Sequence, residues 1–169
     1  MLKCLWILLA LSLSGVALAK DSWQLFKPKD GSYRIAFPGR PQKLSSTDTL
    51  NGHKVPVEFV FCEIGDRAYA VIKLDVRKAL GKMQDREKAI LAFSTLYLDK
   101  DKTHKIFLDR RFELDGHPGR YVVIVEKEKE GQIYAVVREG QLYMVFIAGV
   151  RGKTVDESTN KFVHSFKLL

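Results

Sequence analysis

Cysteine is nearly absent from this chain: its 169 residues hold two, Cys4 and Cys62. Cys4 lies in an N-terminal apolar leader, so the mature chain keeps one thiol, and no internal disulfide can staple it. The same scarcity excludes paired-cysteine zinc and redox sites. Histidine is sparse as well. His53, His104, His117 and His164 are scattered, and no pair has the H-E-x-x-H spacing of a metal-binding helix. No G-x-S-x-G elbow occurs, which removes the usual signature of a serine hydrolase. Gly-Lys-Thr does occur at 152–154, but Ile147 stands where a P-loop needs its first glycine. Beyond residue 19 no apolar run approaches the ~20 residues of a bilayer span. These absences leave an expectation of no catalytic residue, no metal ligand and no cofactor.

The first nineteen residues, MLKCLWILLALSLSGVALA, read as a secretory signal peptide. Lys3 is the positive start, Leu5 to Leu13 the apolar core, and Ala17-Leu18-Ala19 the small-residue cleavage site. Residues 20–169 then form one domain, exported to a periplasmic or extracellular space, with no transmembrane anchor after cleavage. About 150 residues suffice for one real core and are too few for two comfortable ones. Cys62, in PVEFVFCEI, shares a strand face with Val60 and Ile64 and reads as a buried, inert thiol.

The densest apolar block of the mature chain is Pro118 to Gly149. Tyr121, Val123 and Val125 alternate with Val122 and Ile124, and Leu142, Met144, Phe146 and Ala148 alternate with Tyr143, Val145 and Ile147. A strand that is apolar on both faces must be covered on both faces, which places it inside a sheet. Charged Glu126 to Gly131 reads as one hairpin tip and Glu139-Gly140 as a tighter turn. Upstream, Val57–Ile64 and Arg67–Leu74 flank Gly65-Asp66, a glycine-first hairpin turn. Tyr33 to Phe37 reads as a half-buried strand ended by Pro38-Gly39-Arg40-Pro41. The polar stretch Gln42 to Lys54 reads as a loop, and Ile106 to Leu114 as a further strand. Gln84 to Leu98 carries the strongest helical stripe, and Val155, Thr159, Phe162, Val163 and Phe166 form a second one near the end. The expectation is an α+β fold, a mainly antiparallel twisted sheet covered by helices.

Two stretches carry a resemblance. FKPKDGSYRIAFPGRPQK, followed by LYMVFIAG and a closing KFVHSFKL, resembles a group of uncharacterised exported bacterial proteins whose architecture is similar to PsbP. That resemblance implies a PsbP-like α-β-α sandwich and an exported location. Its motifs are turn and packing signals, and they imply no functional residues.

Charge is the remaining signal. Lys and Arg outnumber Asp and Glu by 28 to 20, a formal +8. Basic residues gather at Lys27–Lys43, at Arg77–Lys88 and at Lys100–Arg111. Arg77, Lys78 and Lys82, with Arg151 and Lys153 in the glycine-bearing turn before the last helix, are the candidate anion-binding residues. No nucleic-acid motif accompanies the charge, so specific nucleic-acid recognition is not expected. The function expected is that of a non-catalytic binding or scaffold protein of the cell envelope, with another envelope protein or an anionic surface as partner. The alternative is a hydrolase whose site is dispersed along the chain.

Overall fold

The computed structural model describes residues 23–50, 52–80 and 105–169. The leader, Lys82, His104 and the helix expected over Gln84–Leu98 lie outside them.

Among the described residues, ten strands and two helices follow one another: β1 (Gln24–Phe26), β2 (Tyr33–Phe37), β3 (Gln42–Leu50), β4 (His53–Ile64), β5 (Arg67–Asp75), α1 (Arg77–Leu80), β6 (Lys105–Leu114), β7 (His117–Glu126), β8 (Lys129–Arg138), β9 (Gln141–Val150), α2 (Glu157–Ser165) and β10 (Lys167–Leu168). Seven strands form one sheet in the order β3-β4-β5-β9-β8-β7-β6, and β1-β2-β10 form a second. Every pairing is antiparallel. The expected helix-covered α+β class is therefore corrected. Strand makes up 66% of the described residues and helix 10%, and a second sheet, with α2, covers one face of the large one.

Alternation explains the layering. Val60, Cys62, Tyr69, Val71, Val136, Tyr143, Val145 and Ile147 project to one face and meet Tyr33, Ile35 and Phe37 of β2 and Phe162 and Phe166 at the chain end. Phe162 packs at 5.2 Å from both Phe37 and Tyr69. Each such fully buried aromatic contributes about 1.5–3 kcal/mol through lost apolar surface alone. The opposite face buries Val57, Phe59, Ala70, Ile72, Leu74, Ile133, Leu142, Met144 and Phe146. β9 is central and apolar on both sides, as its sequence requires.

Turns set the register. Gly65 has φ +61 and joins Ile64 to Arg67 through two residues, the glycine-first geometry expected. Asp115-Gly116 and Glu139-Gly140 have positive φ at both positions, the type I′ form that matches strand twist. Two readings differ from expectation here. Gln42 to Leu50 is a strand rather than a loop: as an edge exposed along most of its length, it needs hydrogen bonds to β4 but no apolar periodicity. Lys127-Glu128 alone makes the β7–β8 turn, with Glu126 facing Lys129, so this tip is two residues long rather than six.

Candidate functional site

Arg77 and Lys78 begin α1 directly after β5. Arg77 folds back on Asp75, donating from Nε at 2.9 Å and from Nη2 to the second oxygen. Its stem lies on Gly140, where an added Cβ would sit 2.2 Å from Cγ. Its guanidinium is thus already paired, and the pairing holds the Asp75 carboxyl below its usual range. Lys78 is exposed.

Arg151 and Lys153 are at the other end. β9 runs from Gln141 beside Gly140 to Val150 before Arg151, so ten residues at ~3.4 Å each separate the two groups by roughly 30 Å. The candidate anion residues that are described, Arg77, Lys78, Arg151 and Lys153, do not converge.

The Arg151–Thr154 turn does hold an anion, one supplied by the chain itself. Glu130 of β8 accepts from the Gly152 N–H at 3.3 Å and from the Thr154 hydroxyl. Gly149, directly beneath, leaves room for Thr154 and Arg67, whose carbons would lie 3.3 and 3.2 Å from a Cβ there. Nor is the start of α2 free: Asp156 is its N-cap and accepts from the Thr159 N–H at 2.9 Å. Burial raises the Asp156 pKa, but that hydrogen bond and Arg67 outweigh it and hold the carboxyl low.

Next to Glu130, on the same face, lies a polar and aromatic cluster that sequence reasoning missed. Gln132, 1% exposed, donates to the Thr154 hydroxyl at 2.9 Å and to its carbonyl at 3.2 Å. Its own oxygen accepts from Tyr121 at 3.1 Å and Tyr134 at 3.4 Å. The two tyrosine rings stack with centroids 4.4 Å apart, and Phe112 meets Tyr134 edge-on at 6.0 Å. Phe112 lies over Gly119, where a Cβ would be 2.6 Å from the ring. Burial raises both tyrosine pKa values, so both hydroxyls stay protonated donors. The missed signal was turn length. A two-residue tip pairs Tyr121 with Tyr134, whereas a longer one shifts every partner.

Other reactive groups lie apart. Cys62 is 3% exposed and its thiol is pushed up to about 12, chiefly by burial. His53 opens β4, His117 opens β7, and His164 is on α2. Among the described residues no three His, Cys, Asp or Glu side chains gather to hold a metal, and no helix is long and apolar enough to cross a membrane.

No family model and no curated protein matches the chain. Among solved structures, the cyanobacterial PsbP of Synechocystis sp. PCC 6803 superposes with a TM-score of 0.57 over 92% of this chain and 98% of its own, at 13% identity. The fold is PsbP-like. A protein of unknown function from Pseudomonas aeruginosa aligns over 78% of this chain and 85% of its own at 7% identity and a TM-score of 0.42, a likeness too slight to carry an argument. At 13% identity the PsbP likeness extends to the backbone and assigns no residue a role.

Proposed function

We propose that this is an exported, non-catalytic binding protein of the cell envelope, whose partner is an acidic envelope protein. Export is read from the leader and its Ala-Leu-Ala site. The observation that carries the binding reading is the separation of the basic groups. Arg77 and Lys78 sit at one end of β9 and Arg151 and Lys153 at the other, too far apart to share one small anion. The cradle at 152–154 is filled by Glu130. A partner that uses this charge is therefore large and contacts it at several places.

The test is capture of acidic envelope proteins by the mature protein across a salt series, with anionic and neutral vesicles and an acidic polysaccharide in parallel. Screening shortens from ~10 Å at 0.1 M salt to ~3 Å at 1 M, so charge-led binding weakens steeply over that range. Replacing Arg77, Lys78 and Lys82 by Gln, or Arg151 and Lys153 by Gln, should each weaken binding, and replacing both groups should weaken it further. Binding that ignores both salt and these substitutions overturns the reading. Retention by vesicles alone replaces a protein partner with a lipid surface, and turnover of an ester or peptide substrate replaces binding with hydrolysis.

A further inference from the structure

Among the described residues, the seven-stranded sheet is wider than the layer that covers it on this face. The buried large-sheet side chains that meet the small sheet and α2 come from β4, β5, β8 and β9. On the same face, β6 and β7 overhang. Arg110 lies opposite Tyr121, Phe112 opposite Gly119, Leu108 opposite Val123 and Tyr121 opposite Tyr134, and opposite residues of an antiparallel pair share a face. The overhang is therefore a ledge of half-buried Leu108, Phe112, Tyr121 and Tyr134 beside exposed Arg110. Its inner wall is the turn that Gln132 holds through Thr154, next to which Val155 is 68% exposed.

Charge on this ledge is one-sided. Of the charged side chains on this face of β6, β7 and β8 from Leu108 onward, Glu130 is engaged by Gly152 and Thr154, and Arg138 donates to the Leu169 carbonyl at 2.7 Å. Arg110 is close enough to Tyr121 to act on its ionisation, and among the described residues no carboxylate pairs with it. A free guanidinium beside a flat aromatic pair suits an anion joined to an apolar group: the fork takes a carboxylate at two points, and the rings offer area at little entropic cost.

We propose that this ledge docks an extended segment of a partner protein in which a carboxylate side chain neighbours an aromatic one. The proposal gives the binding reading above a defined site, and it rests on that reading. Arg110 holds the carboxylate, and the Tyr121–Tyr134 stack with Phe112 holds the ring. Gln132 fixes the two hydroxyls, so the rings are positioned before the segment arrives.

The probe is the peptide acetyl-Glu-Phe-Glu-Phe-amide, titrated into the isotope-labelled mature protein and followed by amide chemical shifts. Peptides with Lys for Glu, or Ser for Phe, are the controls. Shifts should be confined to residues 108–114, 119–125 and 130–136, and both controls should bind at least about tenfold more weakly, as expected for losing a charge-assisted pair or an aromatic contact. Arg110→Gln, an exposed change that leaves the core intact, should cost a similar factor, and Arg110→Lys should recover only part of it. Shifts elsewhere, equal binding of the lysine peptide, or an Arg110→Gln variant that binds as well as the parent overturn the proposal. Displacement of the peptide by anionic vesicles that give the same shifts also overturns it, making the ledge a lipid site. If the peptide fails while salt-sensitive capture through the Arg77 and Arg151 groups persists, the ledge falls and the broader reading stands. If both fail, both fall.

Discussion

Asp156 and Arg67 join the last helix to the large sheet. One carboxylate oxygen of Asp156 caps α2 through the Thr159 N–H at 2.9 Å, and the other accepts from the Arg67 guanidinium at the start of β5. The same residue thus satisfies an orphan helix donor and anchors the element that carries Phe162 into the core.

Asp156→Ala removes both links. Loss of the cap costs about 0.5–2 kcal/mol, and the partly exposed ion pair adds no more than ~1 kcal/mol. Asp156→Ser keeps a capping oxygen and should recover most of the difference. Urea unfolding of the two variants checks this, and equal stability for both would mean that the cap contributes nothing.

Acid should weaken the contact between the two sheets. Asp30, in the β1–β2 connection, reaches Lys73 of β5 and accepts from the Ser32 N–H at 3.1 Å. Burial raises its pKa, but these bonds outweigh it and lower it from 3.8 to about 2. A carboxyl whose folded pKa is depressed stabilises fully above its unfolded value, and that stability is lost as pH falls through the folded one. The unfolding midpoint should therefore hold above about pH 4 and drop between there and pH 2. In Lys73→Met the drop across that window should be shallower; an identical profile would show that Asp30 is not responsible.

Gly119 should resist any side chain. A Cβ there would lie 2.6 Å from the Phe112 ring and 2.9 Å from the Ala135 carbonyl oxygen. Gly119→Ala should cost about 1–3 kcal/mol by overpacking. Adding Phe112→Leu should recover part of that, because the ring can be withdrawn while the backbone carbonyl cannot. Thermal unfolding of the single and double variants measures the recovery.

Cys62 should be chemically silent while the protein is folded. Its thiol is buried, and a pKa pushed up to about 12 leaves almost no thiolate at neutral pH. A disulfide reagent should label it slowly in buffer and completely in denaturant. Fast labelling in buffer would place the residue at the surface.

Local signals fixed much of this protein. Apolar residues on both faces of Gln141–Val150 required a central strand, because uncovered apolar area on either side would face water. Gly65-Asp66 and Glu139-Gly140 marked tight turns through backbone geometry that glycine adopts without strain. Of the stripe expected near the chain end, Thr159, Phe162 and Val163 fall within α2, Phe166 is its C-cap, and Val155 lies before it and is exposed. Three features needed the tertiary structure. Gln42–Leu50 carries no periodic pattern, and only its hydrogen bonds to β4 make it a strand. The second covering sheet depends on Lys167-Leu168 pairing with Tyr33-Arg34 across more than a hundred residues, a contact with no local trace. The charges near in composition proved far in space: β9 holds Arg77 and Arg151 apart, while a two-residue turn brings Tyr121 onto Tyr134. Side-chain periodicity is a property of one strand, but which residues face each other depends on register between strands, and one residue more or less in a turn changes every pair.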